Sequence, residues 1–236
     1  MKKRLLLAVS LITCIIVVPG FLLYNGYIWF NNPSNEEFPY RGLDVSNHQG
    51  VIDWRKVESQ NFSFVYIKAT EGKDYIDKFF KDNWINSKQA GLRTGAYHFF
   101  TFGSKGIEQA MNFINIVPND NDSLPPVIDV EFGGNSKDIP DREQLKNELK
   151  VFIEQIQSNY NRIPIIYVTY EAYSMYIQDD FKECKIWIRD IFKYPQLKDN
   201  REWAIWQYCN RGRVEGIDGF VDLNVFSNEE WAEIVQ

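Results

Sequence analysis

Residues 127–169 open with Val127-Ile128-Asp129-Val130-Glu131, a short apolar run ending in two acids, and close with Ile165-Ile166-Tyr167-Val168, a second apolar run. Between them Leu145, Leu149, Phe152, Ile153 and Ile156 recur at the spacing of a helix with one buried face. Strand, helix and strand in that order imply two parallel strands joined by a crossover helix. The alternation extends in both directions. Strands are expected at 41–45, 62–69, 92–99, 127–131, 163–169, 186–188, 203–208 and 221–225. Helices are expected at 54–60, 78–90, 105–116, 142–160 and 172–178, and Gly91 stands where a helix C-terminal cap should. After Tyr176 the connections become too short for full helices. The expected fold is therefore α/β, an irregular TIM-like barrel with eight strands and fewer than eight helices, built in less chain than the about 250 residues of a full one. An open doubly wound sheet competes with it, but no Gly-rich phosphate loop follows the first strand.

The acids carry the chemistry. Side chains alternate along a strand, so Asp129 and Glu131 face the same side. Asp44 holds the matching place at the end of the first strand, and Asp222 lies at the start of the last. In a closed barrel those two strands are neighbours, which lets the acids converge at one mouth. Buried carboxylates that repel one another are driven toward their neutral forms, which supplies a proton donor near neutral pH. Glycosidic bond cleavage needs that donor and a second carboxylate beside the reacting sugar. Metal binding and structural salt bridging are the competing readings. Alternation also turns Gln207 away from Trp206 and Tyr208, into a position able to hydrogen-bond a sugar.

The chain has 236 residues, 44% hydrophobic and 25% charged, which excludes disorder, a collagen-like chain and a small disulfide scaffold. Aromatic residues make up 16%, enough for a large core and for a ring-binding cleft. The net charge is −6 without basic clusters, which argues against nucleic acid as a partner. His48 and His98 are the only histidines and no Cys-x-x-Cys pair occurs, so no zinc site is expected. Ser46 belongs to no triad spacing.

Lys2, Lys3 and Arg4 precede an apolar run from Leu5 to Leu23. That pattern reads as an export segment, either a cleaved signal peptide or an uncleaved membrane anchor. The lack of an A-x-A-like cleavage site favours the anchor, and either one places the folded part outside the cytoplasm. The polar, proline-punctuated stretch 31–39 reads as a linker. The expected division is residues 1–39 for export segment plus linker and 40–236 for the barrel. An oxidising compartment would permit a Cys184–Cys209 bond.

Gly42-Leu43-Asp44-Val45-Ser46-Asn47-His48-Gln49-Gly50 followed by Ile52-Asp53-Trp54 resembles the opening of glycoside hydrolase family 25, the Chalaropsis-type lysozymes or N-acetylmuramidases. Tyr66-Ile67-Lys68-Ala69-Thr70-Glu71-Gly72, Gly95-Ala96-Tyr97-His98-Phe99-Phe100, the segment from Pro126 to Glu131, Trp206-Gln207-Tyr208 and Gly219-Phe220-Val221-Asp222-Leu223-Asn224 resemble its later segments in order. The resemblance implies hydrolysis of the β-1,4 bond between N-acetylmuramic acid and N-acetylglucosamine in peptidoglycan. It implies no metal or organic cofactor. Glu131 would be the general acid, Asp129 would assist the reacting sugar, and Asp44 and Asp222 would line the site. His98, beside Tyr97 at a strand end, would line it too. Trp187, Tyr167 and Tyr66 would stack on sugar rings or fill the barrel, and Lys68 and Glu71 would pair at the rim. Retaining and inverting outcomes both stay open. Arg189-Asp190 departs from the Ala and aromatic residue of many relatives, at a place that would alter a sugar subsite. The expected partners are peptidoglycan strands and, through the N-terminal apolar segment, the membrane; the chain is expected to be monomeric. The rivals are an inactive glycan-binding protein and a chitinase-like hydrolase, whose D-x-x-D-x-D-x-E spacing is absent here.

Overall fold

The computed structural model describes residues 2–134 and 139–235, with side chains from 13 to 134 and 139 to 234. Nine strands form one sheet: β1 (Arg41–Val45), β2 (Phe64–Glu71), β3 (Tyr75–Ile76), β4 (Arg93–Phe99), β5 (Val127–Val130), β6 (Ile165–Val168), β7 (Ile186–Arg189), β8 (Ile205–Gly212) and β9 (Val221–Phe226). Pairing of β1 with both β2 and β9 closes eight of them into a barrel, with β3 a short flap on β2. All eight expected strands form, with ends displaced by a few residues. The sheet is mixed rather than all parallel, because β9 runs antiparallel to both β8 and β1. Only residues 213–220 join β8 to β9, too few for a parallel crossover but enough for a hairpin.

The helices are α1 (Lys2–Tyr24), α2 (Trp54–Glu58), α3 (Phe80–Gln89), α4 (Gly106–Ile116), α5 (Arg142–Tyr160), α6 (Tyr170–Ala172), which continues as a π-turn over Tyr173–Ile177, and α7 (Asn228–Val235). Asp141 caps α5 by accepting from the backbone N–H groups of Glu143 and Gln144, and Asn161, at φ 53°, ends it. Its buried face is the expected one, Leu145, Leu149, Phe152, Ile153 and Ile156.

Strand alternation sorts the core into two layers. Val65, Ile67, Ile128, Val130, Ile166, Val168, Ile186 and Ile188 face outward toward the helices. Phe64, Tyr66, Val127, Ile165, Tyr167, Trp187, Ile205 and Phe226 fill the barrel. Two glycines make room for the large rings: a Cβ on Gly95 would lie 2.2 Å from the Tyr66 ring, and one on Gly42 2.5 Å from Phe64. Trp231 of α7 closes the floor, stacked on Tyr40 at 4.6 Å and against Phe226 at 5.2 Å.

The stretch expected as a linker, 31–39, is bound to the barrel instead, and so is Trp29 just before it. Phe38 is 5% exposed and packs on Trp203, Trp206 and Tyr194. Trp29 Nε1 donates to the Tyr208 carbonyl at 3.0 Å, and Arg41 donates to the Pro33 carbonyl at 3.0 Å and to Asn35 Oδ1 at 2.8 Å. The physical reason lies in the missing helices: the outer faces of β7 and β8 have no crossover helix, and this segment covers them. Among the described residues no helix is long and apolar enough to cross a membrane. The expected anchor is thus not supported, and most of its N-terminal half, residues 1–12, falls outside the described side chains. Cys184 and Cys209 are buried free thiols.

Candidate active site

The carboxyl ends of the parallel strands open into a cleft of about 370 Å³. Asp44, Asp129, Glu131 and Asp222 all line it, with Tyr97, Tyr167, Trp187 and Gln207. Asp129 and Glu131 reach it by two-residue alternation from β5. Asp222 reaches it for a different reason. Because β9 is antiparallel, its first residues stand at the mouth, and Asp222 is the register partner of Asp44.

A bulge in β2 shapes the opposite wall. The register with β4 slips between Lys68 and Thr70. Lys68 and Glu71, three residues apart, therefore both line the cleft, while Ala69 and Thr70 turn away. Lys68 Nζ meets Glu71 Oε2 at 2.7 Å, the expected pair, and lies 4.9 Å from the centre of the Phe99 ring.

Hydrogen bonds fix Asp44 and leave one oxygen of Asp129 open. Asp44 Oδ2 accepts from Asn224 Nδ2 at 2.8 Å and from Gln207 Nε2 at 3.2 Å. Gln207 Oε1 in turn accepts from the Tyr167 hydroxyl at 3.0 Å, and Asn224 Oδ1 accepts from Trp187 Nε1 at 3.0 Å. By contrast, Asp129 Oδ1 is buried without a hydrogen-bond partner.

Burial dominates the electrostatics. It pushes the Asp44 carboxyl up to about 6, against the opposing pull of the Asn224 and Gln207 hydrogen bonds. It raises Asp129 well above the usual carboxylate range, with the Glu131 charge adding to the rise. Asp222 is likewise raised well above that range by burial and then by Asp44. Glu131 is raised by burial, with Arg189 the largest opposing influence. All four carboxyls are thus held to their protons more tightly than free acids, which favours a proton donor at mild pH.

Two expected site residues are not brought to the cleft. His98 is completely buried on the outer side of β4, where Nδ1 pairs with Thr70 Oγ1 at 2.7 Å, Nε2 with Gln109 Oε1 at 3.1 Å, and the ring stacks on Phe152 at 5.0 Å. Alternation forbids it the cleft once Tyr97 and Phe99 point inward. Burial drops its pKa to about 3, so it stays neutral. Tyr66 is completely buried inside the barrel below the cleft, its hydroxyl donating to the Pro125 carbonyl at 3.3 Å. Trp187 lies at the cleft floor with 2% of its surface exposed, which favours packing over ring stacking.

Sequence reasoning missed Asn224, Phe99, His48 and the glycines Gly133 and Gly134. Asn224 and Phe99 were readable, each standing two residues from a residue already assigned to the cleft. Gly133 lies against Glu131, where a Cβ would sit 3.4 Å from its carboxylate. Among the described residues no three His, Cys, Asp or Glu side chains are grouped to hold a metal ion.

The family model "Glycosyl hydrolases family 25" matches residues 43–217. The structure is similar to that of a family 25 glycosyl hydrolase from Bacillus anthracis, with a TM-score of 0.83 and 44% identity, covering 89% of this chain and 99% of that one. Lysozyme M1 of Streptomyces globisporus is 32% identical over 198 residues, 79% of this chain and 67% of its own length. The uncharacterized protein YegX of Escherichia coli K12 is 32% identical over 195 residues, 80% of this chain and 70% of its own.

Proposed function

The chain belongs to glycosyl hydrolase family 25 and is a glycoside hydrolase of the lysozyme type, and from that premise we propose that it cleaves the β-1,4 bond between N-acetylmuramic acid and N-acetylglucosamine, with Glu131 as general acid. The observation that carries this reading is the buried, unpartnered Oδ1 of Asp129, on the cleft wall two residues from Glu131. A buried acceptor without a donor is costly to leave unmet. The acetamido N–H of the reacting sugar meets it and turns the acetamido oxygen toward the anomeric carbon. Protonated Glu131 gives its proton to the leaving glycosidic oxygen as the C–O bond breaks and the acetamido oxygen bonds to the anomeric carbon. Water then attacks that carbon and displaces the acetamido oxygen, which returns to the amide, while the Glu131 carboxylate takes the proton of the water. Asp44, held by Gln207 and Asn224, and Asp222 beside it supply negative charge facing the cationic sugar. The working surface is peptidoglycan outside the cytoplasm, with the N-terminal apolar run supplying export and the barrel, clasped by residues 24–39, the catalysis.

The test is digestion of purified peptidoglycan by the full chain, followed by borohydride reduction and mass spectrometry of the new ends. Reduced N-acetylmuramic acid is expected. Glu131→Gln should keep the fold and lose roughly 10²–10⁴ in turnover, the usual worth of general acid catalysis. Reduced N-acetylglucosamine ends would overturn the bond assignment, and near-normal turnover in folded Glu131→Gln would remove that residue from the acid role.

A further inference from the structure

Arg189 stands at the carboxyl end of β7, two residues beyond Trp187 and therefore on the same inward side of the barrel. Its register partner is Gln207, which itself holds Asp44. The arginine is half-buried, and among the described residues it takes part in no ion pair. Lys68, the cation that lines the cleft among the described residues, is committed to Glu71. Among the described residues, the four carboxyls thus have one cation in the cleft lining, already paired, and a second at the strand end beside Gln207 that is in no ion pair.

We propose that Arg189 is a positioning residue for the hydrolysis, its uncommitted guanidinium charge holding the cleft carboxyls in the mixture of ionised and protonated forms that the chemistry needs. This rests on the glycosidase reading of the same cleft. The two cations divide the acids between them. Arg189 opposes the effect of burial at Asp44, Glu131 and Asp222, while Lys68 does so at Asp129 and Glu131. The ionisable groups facing the cleft are Asp44 on β1, His48 in the loop after it, Lys68 and Glu71 on β2, Tyr97 on β4, Asp129 and Glu131 from β5, Tyr167 on β6 and Asp222 on β9. Burial raises both tyrosines well above their ordinary range, so they stay neutral at working pH.

Removing the guanidinium makes every nearby carboxyl harder to ionise. The acid that must be charged then loses its proton at higher pH, and the acid that must be protonated keeps it to higher pH. Both limbs of the pH–rate curve move upward together.

The experiment compares the full-length wild type with Arg189→Met, Arg189→Gln and Arg189→Lys, following release of reducing ends from purified peptidoglycan as a function of pH. Met and Gln should shift both limbs upward by roughly half to one pH unit, and Lys should leave them in place. Unshifted limbs in a folded Met or Gln variant would overturn the proposal, as would a Lys variant that shifts as far as Met. A second readout needs no turnover. The Tm of Arg189→Met should fall further below wild type at about pH 8, where the cleft carries more carboxylate charge, than at about pH 4. Parallel Tm–pH curves would sink the inference whether or not glycan is cleaved, whereas a wild type that cleaves nothing while the curves diverge would sink the glycosidase reading alone.

Discussion

Asp129 combines a cost to the fold with a use in the cleft. Its carboxyl is raised by burial and by the neighbouring Glu131 charge, so the folded chain binds a proton that the unfolded chain has released. Stability is therefore lost as pH rises from about 4 through the folded-state value. Asp129→Asn removes that titration. Its Tm should exceed wild type near pH 7 and converge with it near pH 4, while turnover collapses. Calorimetry across that range checks it, and a Tm below wild type at pH 7 would make Asp129 a structural residue. The acids of the mouth were legible because a strand has a strict two-residue period and carboxylates have few bland reasons to sit on its inward face. His98 was misread through neglect of the same rule, since Tyr97 and His98 cannot share a face. Tyr66 has the right face but the wrong depth, and depth depends on barrel tilt and register rather than on local pattern.

At the scale of elements, segment 24–39 replaces helices that the later half of the barrel lacks. Arg211 donates to the Tyr24 carbonyl at 2.7 Å and stacks over Tyr24 and Phe220, and Arg213 binds the Asn25 carbonyl and stacks over Tyr27. A chain beginning at Tyr40 loses these contacts and uncovers Trp203 and Trp206. It should melt well below a chain beginning at Tyr24, the buried Phe38 ring alone being worth about 3 kcal/mol. Equal melting temperatures would return the segment to the role of a linker. The polar, proline-punctuated part of it, 31–39, correctly reads as non-helical, but nothing local in Phe38, or in Trp29 before it, shows that a bare barrel face awaits them. The β2 bulge was equally hidden, because one extra residue leaves no mark in a hydrophobic pattern.

Across the whole molecule, closure of the barrel separates a packed floor from a charged mouth. Trp231 plugs the floor against Tyr40, Phe64 and Phe226. Trp231→Ala should lower stability by about 2–3 kcal/mol while leaving KM for glycan unchanged, because the mouth is built at the other end of every strand. A raised KM at unchanged stability would show that floor and mouth are coupled. By itself the sequence determined the strand–helix alternation, the barrel class, the family and the carboxylates at the strand ends, because hydrophobic period and residue chemistry are local properties. Only the tertiary structure decided that β9 runs antiparallel and delivers Asp222 opposite Asp44, that His98 faces outward and that residues 24–39 clasp the barrel. Those outcomes follow from chain closure and from which surfaces are left uncovered, and both are properties of the assembled fold alone.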